Sequence, residues 1–319
     1  MEFEISVIIP AYNVEDYIAR AIQSALKQSQ VREVIVINDG STDNTQNILK
    51  LLQKDDNRIK ILHHLGEVNR GRSVSRNLGL LNSKSNYIAF LDGDDFYLKN
   101  RFKKDIKIFK NDPDCDGVYN AVGFIYYNKE LIKKSQQQEL YGVKKTIPPD
   151  KLFKYLLNGK YGHFQIDGLT VKRSIFLKTG FFNNELVVSE DTDLFWKMAL
   201  KGRLITGHIS QPVAMRGIHN SNIFNRIDIY KKYRFKLYES LIFWGAKNNI
   251  PLSNIDQLME VLWLLKHKDK LGMLKEIKYW MALFFVKPRI LFSYLSLKYF
   301  PLVRRRKQLM TLLIKSKSL

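Results

Sequence analysis

One cysteine, Cys115, stands in a chain of 319 residues. A disulfide framework within the chain is therefore excluded, and a reducing compartment is expected. No catalytic His pairs with Cys115 in the sequence, so it reads as a small buried residue. Acid is also scarce, with 31 Asp and Glu against 52 Lys and Arg and a formal net charge of +21. That excess points to an anionic partner: nucleic acid, an anionic membrane or a phosphorylated substrate. Long hydrophobic runs are missing. No stretch reaches about 18 uncharged apolar residues, so no transmembrane helix is expected. The best late candidate, Tyr279 to Val286, is cut short by Lys287, Pro288 and Arg289. The acidic start, Met1 to Glu4, runs straight into a strand, so no secretory leader is expected and a cytoplasmic protein is. Internal repeats and low-complexity tracts are absent too.

What is present is alternation. Ile5 to Ile9 is a β-branched run ended by Pro10. Asp16 to Gln28 has helical spacing, with Tyr17, Ile18, Ala21, Ile22 and Leu26 on one side. Val34 to Ile37 is a second strand, and Ser41-Thr42-Asp43 caps a helix whose apolar face is Ile48, Leu49, Leu51 and Leu52. Ile59 to Leu62 is a strand, Ser73 to Leu81 a helix and Tyr87 to Leu91 a strand. Strand and helix in turn imply parallel β-α-β units and a doubly wound sheet. Further on, the spacing predicts a basic helix over Leu98 to Phe109, a strand over Gly117 to Tyr127 and a polar loop over Gln136 to Pro149. It predicts short helices at Lys151 to Leu157 and Ser174 to Lys178, and strands at Leu169 to Lys172, Arg203 to Ile209 and Val213 to Ile218. An amphipathic helix covers Asp191 to Lys201. From Asp228 onward the pattern is helical.

Five segments carry chemistry besides the first strand's exit. Asp92-Gly93-Asp94-Asp95 ends the strand at Leu91, and in open α/β sheets ligands bind at the carboxyl ends of strands. Carboxylates there suit Mg²⁺ or Mn²⁺ shared with a diphosphate, although Asp and Gly also make plain turns. Pro10-Ala11-Tyr12-Asn13 leaves the first strand, and Tyr12 has a face for a planar base. Asp39, at the second strand tip, is either a hydrogen-bond acceptor for a base or ribose or a turn residue before Gly40. Arg76, within Ser73-Val74-Ser75-Arg76-Asn77, is either a planar donor to phosphate or part of a solvated basic face. Glu190 and Asp191 open a helix, which capping and the helix dipole explain; a carboxylate there also suits a general base for a sugar hydroxyl. His219 follows a late strand and is either structural or a metal or phosphate ligand.

In this order and spacing, the segments resemble family 2 glycosyltransferases of the GT-A fold over roughly residues 4 to 221. The matching stretches are SVIIPAYN, NDGSTDNT, NRGRSVSRNLG, LDGDD, KR…TGFFNNEL, SEDTDL and the late His. The resemblance implies a Rossmann-like, mostly parallel sheet at 1–221, with the nucleotide-sugar part about 1–110 and the acceptor part about 111–221. A basic, amphipathic helical extension is expected at 222–319. It implies that Pro10, Ala11, Tyr12 and Asp39 form the base pocket, that Arg76 lies beside base and phosphates, and that Asp92 with Gly93 contacts the ribose. Asp94 and His219 are then metal ligands for Mn²⁺ or Mg²⁺, Asp191 is the catalytic base with Glu190 beside it, and Gly168 lines the sugar cleft. An inverting transfer from a nucleotide-diphosphate sugar, with UDP as the expected nucleotide, to a glycan or lipid-linked acceptor follows from the likeness. No Gln-x-x-Arg-Trp follows Glu190-Asp191, so the processive synthases of cellulose, chitin and hyaluronan type are not matched. Ser75 stands where Ala is commoner.

Two rivals differ in kind. A sugar-nucleotide pyrophosphorylase should carry a Gly-rich basic loop after the first strand, and Pro10-Ala11-Tyr12-Asn13 is not one. A nucleic-acid-binding protein should show a basic recognition module, whereas basic residues here gather in the apolar tail; no nucleic-acid partner is expected. In that tail, aromatics of 279–292 followed by Arg304-Arg305-Arg306-Lys307 suit the surface of an anionic membrane, on the cytoplasmic face of an inner membrane. Packing on the catalytic domain or in a homodimer is the other reading.

Overall fold

A computed structural model describes residues 3–127, 140–219, 222, 227–268, 273–293, 300 and 303. The chain divides into two compact units, Met1–Ile227 and Asp228–Leu319.

In the first unit, β1 (Ile5–Ala11), α1 (Ile18–Leu26), β2 (Val31–Asn38), α2 (Thr45–Asp55), β3 (Ile59–His63), α3 (Arg72–Asn82) and β4 (Tyr87–Phe90) alternate. There follow β5 (Phe96–Tyr97), α4 (Lys103–Asn111), β6 (Gly117–Tyr119), β7 (Val122–Tyr126), β8 (Leu140–Tyr141) and α5 (Pro149–Asn158). A 3₁₀ turn at Ile166–Gly168 leads into β9 (Leu169–Lys172), α6 (Ile175–Thr179), α7 (Glu190–Lys201), β10 (Leu204–Thr206) and β11 (Ala214–Ile218). The main sheet has seven strands in the order β10-β6-β9-β4-β1-β2-β3. Only β9 runs against its neighbours. The expected doubly wound, mostly parallel sheet is what the chain forms. Residues of β1 are buried on both faces, as a sheet covered by helices on each side requires. Ile18, Ala21, Ile22 and Ala25 of α1 join the core made by Ile5, Val7 and Ile9. On the other face α3 approaches so closely that a Cβ at Gly79 would meet the Ile8 side chain at 2.5 Å.

Several boundaries depart from the sequence expectation. The basic helix starts at Lys103, not Leu98, because Phe96–Tyr97 pairs with β11 as β5. The strand expected over Gly117 to Tyr127 breaks at Asn120 and Ala121: β6 stays in the main sheet, while β7 enters a second sheet ordered β5-β11-β7-β8. Within the expected loop Gln136 to Pro149, Leu140–Tyr141 pairs with β7; 136–139 lie outside the described residues. The strand expected over Arg203 to Ile209 is only Leu204–Thr206. At Ser41-Thr42-Asp43, only Asp43 meets the helix start, accepting from Thr45 N at 3.0 Å. Ser41 Oγ instead accepts from Asn13 N at 3.1 Å, and Asn13 Oδ1 accepts from Thr42 N at 2.8 Å. The loops leaving β1 and β2 are thus stitched together. Cys115 is buried, and burial pushes its thiol up to about 12, so it is inert.

The second unit contains α8 (Ile227–Lys247), α9 (Leu252–Lys268), α10 (Met273–Val286) and a 3₁₀ turn at Pro288–Phe292. It has buried apolar residues of its own, among them Leu241, Leu258, Met259, Trp280, Leu283 and Ile290. Phe243 and Tyr279 meet edge to face at 5.5 Å. Among the described residues no helix is long and apolar enough to cross a membrane. Arg304 to Lys307 lie outside the described residues.

Candidate active site

Because β1, β2 and β4 are parallel neighbours, the residues that leave them share one sheet edge. That edge collects Pro10 to Tyr12, Asp39 and Asp92 to Asp95. Antiparallel β9 begins there as well, so the 3₁₀ turn before it lies beside the β4 tip: Asp92 N donates to Asp167 Oδ1 at 2.9 Å.

The β11 end completes the cluster. His219 Nε2 and Asp94 Oδ2 are 2.9 Å apart, although 125 residues separate them. Asn222 Nδ2 donates to the same oxygen at 3.1 Å. Tyr17 stacks on the His219 ring with centroids 5.1 Å apart. Close approach of β11 requires Gly217, since a Cβ there would sit 2.5 Å from the Asp94 carbonyl oxygen. Its N–H donates to Asp95 Oδ1 at 2.7 Å. Asp94 and His219 remain partly exposed, at 21% and 15% of their side chains. A carboxylate oxygen and an imidazole nitrogen in contact, open to solvent, fit a hard or borderline divalent cation.

Asp92, Asp95 and Asp167 form a second carboxylate group whose oxygens lie within 4.8 Å of one another. One oxygen of each is already engaged. Asp92 Oδ1 accepts from Arg76 Nη2 at 2.6 Å. Burial pushes the Asp92 carboxyl up, but the Arg76 and Arg72 guanidiniums outweigh it and hold the group below the usual range. Burial and the neighbouring acids push Asp95 and Asp167 up. Asp167 Oδ2 is buried without a hydrogen-bond partner.

Arg76 is not on a solvated face. It is only 1% exposed, with Nη1 donating to Glu190 at 2.9 Å and Nη2 to Asp92. Arg72 reaches Glu190 at 3.2 Å. The N-terminus of α7 is therefore tied to the β4 tip through Glu190-Arg76-Asp92. Burial raises the Glu190 carboxyl despite both arginines. Asp191, next along and half-buried, points its Oδ1 at Thr192 N, 2.7 Å away. Ser189 makes no side-chain capping bond and holds a left-handed φ of 63°, a conformation that costs a non-glycine residue on the order of 1 kcal/mol. Capping thus does not account for Ser189.

In the expected base pocket, Tyr12 is exposed and Ala11 buried. The Asp39 carboxylate accepts from Arg70 N at 2.7 Å and Gly71 N at 2.9 Å, and His64 lies 3.3 Å away. It clamps the loop that enters α3. Gly40 holds φ 73°, and a Cβ there would be 2.6 Å from the Glu67 carbonyl oxygen. Gly93 packs on the β1 exit, where a Cβ would stand 3.2 Å from the Pro10 carbonyl oxygen; at Gly168 it would be 2.3 Å from that of Asn120. Tyr17, Asp167 and Asn222 were not legible as site residues. Only Asn222 carried a local signal, three residues after His219.

The family model described as "Glycosyl transferase family 2" matches residues 6–179, more than half of the chain. A β-1,3-glucosyltransferase of Escherichia coli, WfgD, named for UDP-Glc and an α-D-GlcNAc-diphosphoundecaprenol, is 32% identical over 154 residues, 48% of this chain and 56% of that protein. A hyaluronan synthase of Pasteurella multocida is 27% identical over 281 residues, 86% of this chain and 27% of that protein. The lack of Gln-x-x-Arg-Trp therefore does not separate the chain from every synthase of that name. The matches span about half or less of these relatives' own lengths. Residues 1–349 of S. aureus TarS with UDP-GlcNAc superpose with a TM-score of 0.63 at 17% identity, over 88% of this chain and 79% of that one. The GT-A fold is common to both. The chain belongs to glycosyl transferase family 2.

Proposed function

We propose that the enzyme transfers one sugar from a UDP-sugar to a hydroxyl of a glycan or lipid-linked acceptor in cell-surface polysaccharide synthesis, with inversion. The observation that carries the reading is the meeting of Asp94 and His219 at the sheet edge, on the same β4 tip to which Arg76 and Glu190 tie α7. Asp94 and His219 would hold Mn²⁺ or Mg²⁺, which supplies positive charge against the leaving diphosphate. Asn222 and Tyr17 hold those two side chains in register. Asp191 takes the acceptor hydroxyl's proton as the oxygen attacks the anomeric carbon from the face opposite the diphosphate. One base and one displacement give inversion. Tyr12 offers its ring to the base, and the stitched loops after β1 and β2 keep that surface formed before the donor arrives. Arg76 holds Glu190 and Asp92 in place. UDP is favoured over other nucleotides because the WfgD name specifies UDP-Glc.

The test is a screen of nucleotide sugars, reading nucleoside diphosphate release with Mn²⁺ or with EDTA. Release from a UDP-sugar that EDTA abolishes is expected. Release from GDP-sugars alone, or full activity in EDTA, overturns the donor or the metal assignment respectively. Association with an anionic membrane through the second unit is part of the same proposal.

A further inference from the structure

A cleft of about 910 Å³ opens between α1 and the segment running from β5 into α4. Arg20, Lys27, Lys99 and Lys103 line it with polar donors such as Gln23 and Asn100, and no Asp or Glu is among its lining residues. Surface lysines are commonly just solvated, and Lys27 suits the C-terminal carbonyls of α1. Lys99 and Lys103 have no such reason to be there. They flank the N-terminus of α4, where the helix dipole is already positive and a cation is disfavoured. Asp105, the acid of that first turn, is buried and accepts from Arg101, Asn120 and Thr170. Arg20 lies with its guanidinium carbon 4.1 Å from the Phe96 ring centroid. Its Nε and Nη2 are buried and have no hydrogen-bond partner. Arg20 as a whole is part-buried; its guanidinium also lies 5.2 Å from the Tyr127 ring centroid and feels the charge of Asp95, so a ligand would meet only its unpartnered donors. Ammonium groups lining one cleft, a planar guanidinium and a helix N-terminus match a multiply charged oxyanion.

We propose that this cleft is a phosphate-binding site apart from Asp94, holding the phosphate of a soluble ester or of a phospholipid headgroup. The probe is pyrophosphate, titrated by calorimetry into the full chain in EDTA, where the acidic sheet edge repels anions. Lys99→Gln with Lys103→Gln should weaken binding at least about tenfold. The pair Lys107→Gln with Lys110→Gln, on the same helix with the same charge change, should leave it nearly unaltered. Competition against bound pyrophosphate in the wild type separates the sources without a bilayer: displacement by monomeric short-chain phosphatidic acid identifies a headgroup, displacement by glycerol 3-phosphate but not by that lipid a soluble ester. UDP affinity in Mn²⁺ should be the same in both pairs, since neither touches the sheet edge. A wild type that does not bind pyrophosphate, or equal losses in the two pairs, overturns the site. Those outcomes are independent of UDP-sugar turnover, which tests the glycosyltransferase chemistry.

Discussion

At the scale of single residues, the site separates groups that face a substrate from groups that hold them. Asp94 is partly exposed and meets His219 and Asn222 at one oxygen. Asp94→Ala removes that oxygen without emptying the core. Activity should fall by about 10²–10³-fold, as when one preorganised electrostatic contact is lost, with the melting temperature nearly unchanged. Wild-type turnover in the variant would refute the metal role. Asp191→Asn keeps the shape and loses the basicity. Turnover should drop by about 10²–10⁴-fold, the usual share of a general base, while UDP affinity, measured by calorimetry, holds. Parallel losses in both would make Asp191 structural. Neither role extends to Arg76. Its burial between Glu190 and Asp92 means that removing it strands two carboxylates, at a cost of about 3–5 kcal/mol.

At the scale of elements, the sheet edge is assembled by contacts far apart in sequence. The β4 tip, the turn before β9 and the end of β11 meet through Asp92 N to Asp167 and Gly217 N to Asp95. The raised carboxyls of Asp95 and Asp167 make this junction sensitive to pH. Both carboxyls sit above their usual value of 3.8, Asp167 at about 6. A raised acid stabilises the fold below its unfolded value and loses that contribution as pH rises through its folded value. Wild-type melting temperature should therefore lose a contribution as pH rises from the usual carboxylate value of 3.8 through about 6. Asp95→Asn replaces an acid of the pair by a neutral side chain of the same shape, so its melting curve should vary less with pH over that window. Equal slopes for both proteins would show that the pair does not titrate there. The same junction marks where the sequence stopped being legible. Apolar runs such as Ile5 to Ile9 named the parallel strands, because burial on both faces leaves a continuous pattern. The strand-tip motifs, read by order, named Asp94 and His219. Nothing local marks Asp167 as part of a site; it gains its partners from the reversed β9, and Tyr17 gains its own from the arrival of β11. The two-residue strand β5, just ahead of the expected helix, went unread for the same reason: its pairing partner, β11, lies far along the chain at Ala214 and Met215.

At the scale of the whole molecule, a net charge of +21 asks for an anionic partner, and in the proposed membrane contact the second unit would supply the apolar half. The aromatics of the tail do not act alike. Trp280 is fully buried, so it belongs to the helical core and not to a bilayer face. Leu274, Met281 and Phe285, spaced seven and four apart on α10, are exposed at 74%, 44% and 82%. That spacing puts them on one side of the helix. Burying the Phe285 ring in a bilayer interface contributes about 2 kcal/mol, and each nearby Lys or Arg adds about 1 kcal/mol against anionic lipid. Only the second contribution is screened by salt. Phe285→Ser should therefore weaken binding to anionic vesicles by about tenfold or more, with the melting temperature unaffected, and added salt should weaken wild type and variant alike. Trp280→Ala should do the opposite, costing about 3–5 kcal/mol of stability through the cavity it leaves. Co-sedimentation with neutral and anionic vesicles, beside thermal melts of the same proteins, reads both. Should Phe285→Ser bind anionic vesicles as the wild type does, the exposed side of α10 is not what meets the membrane.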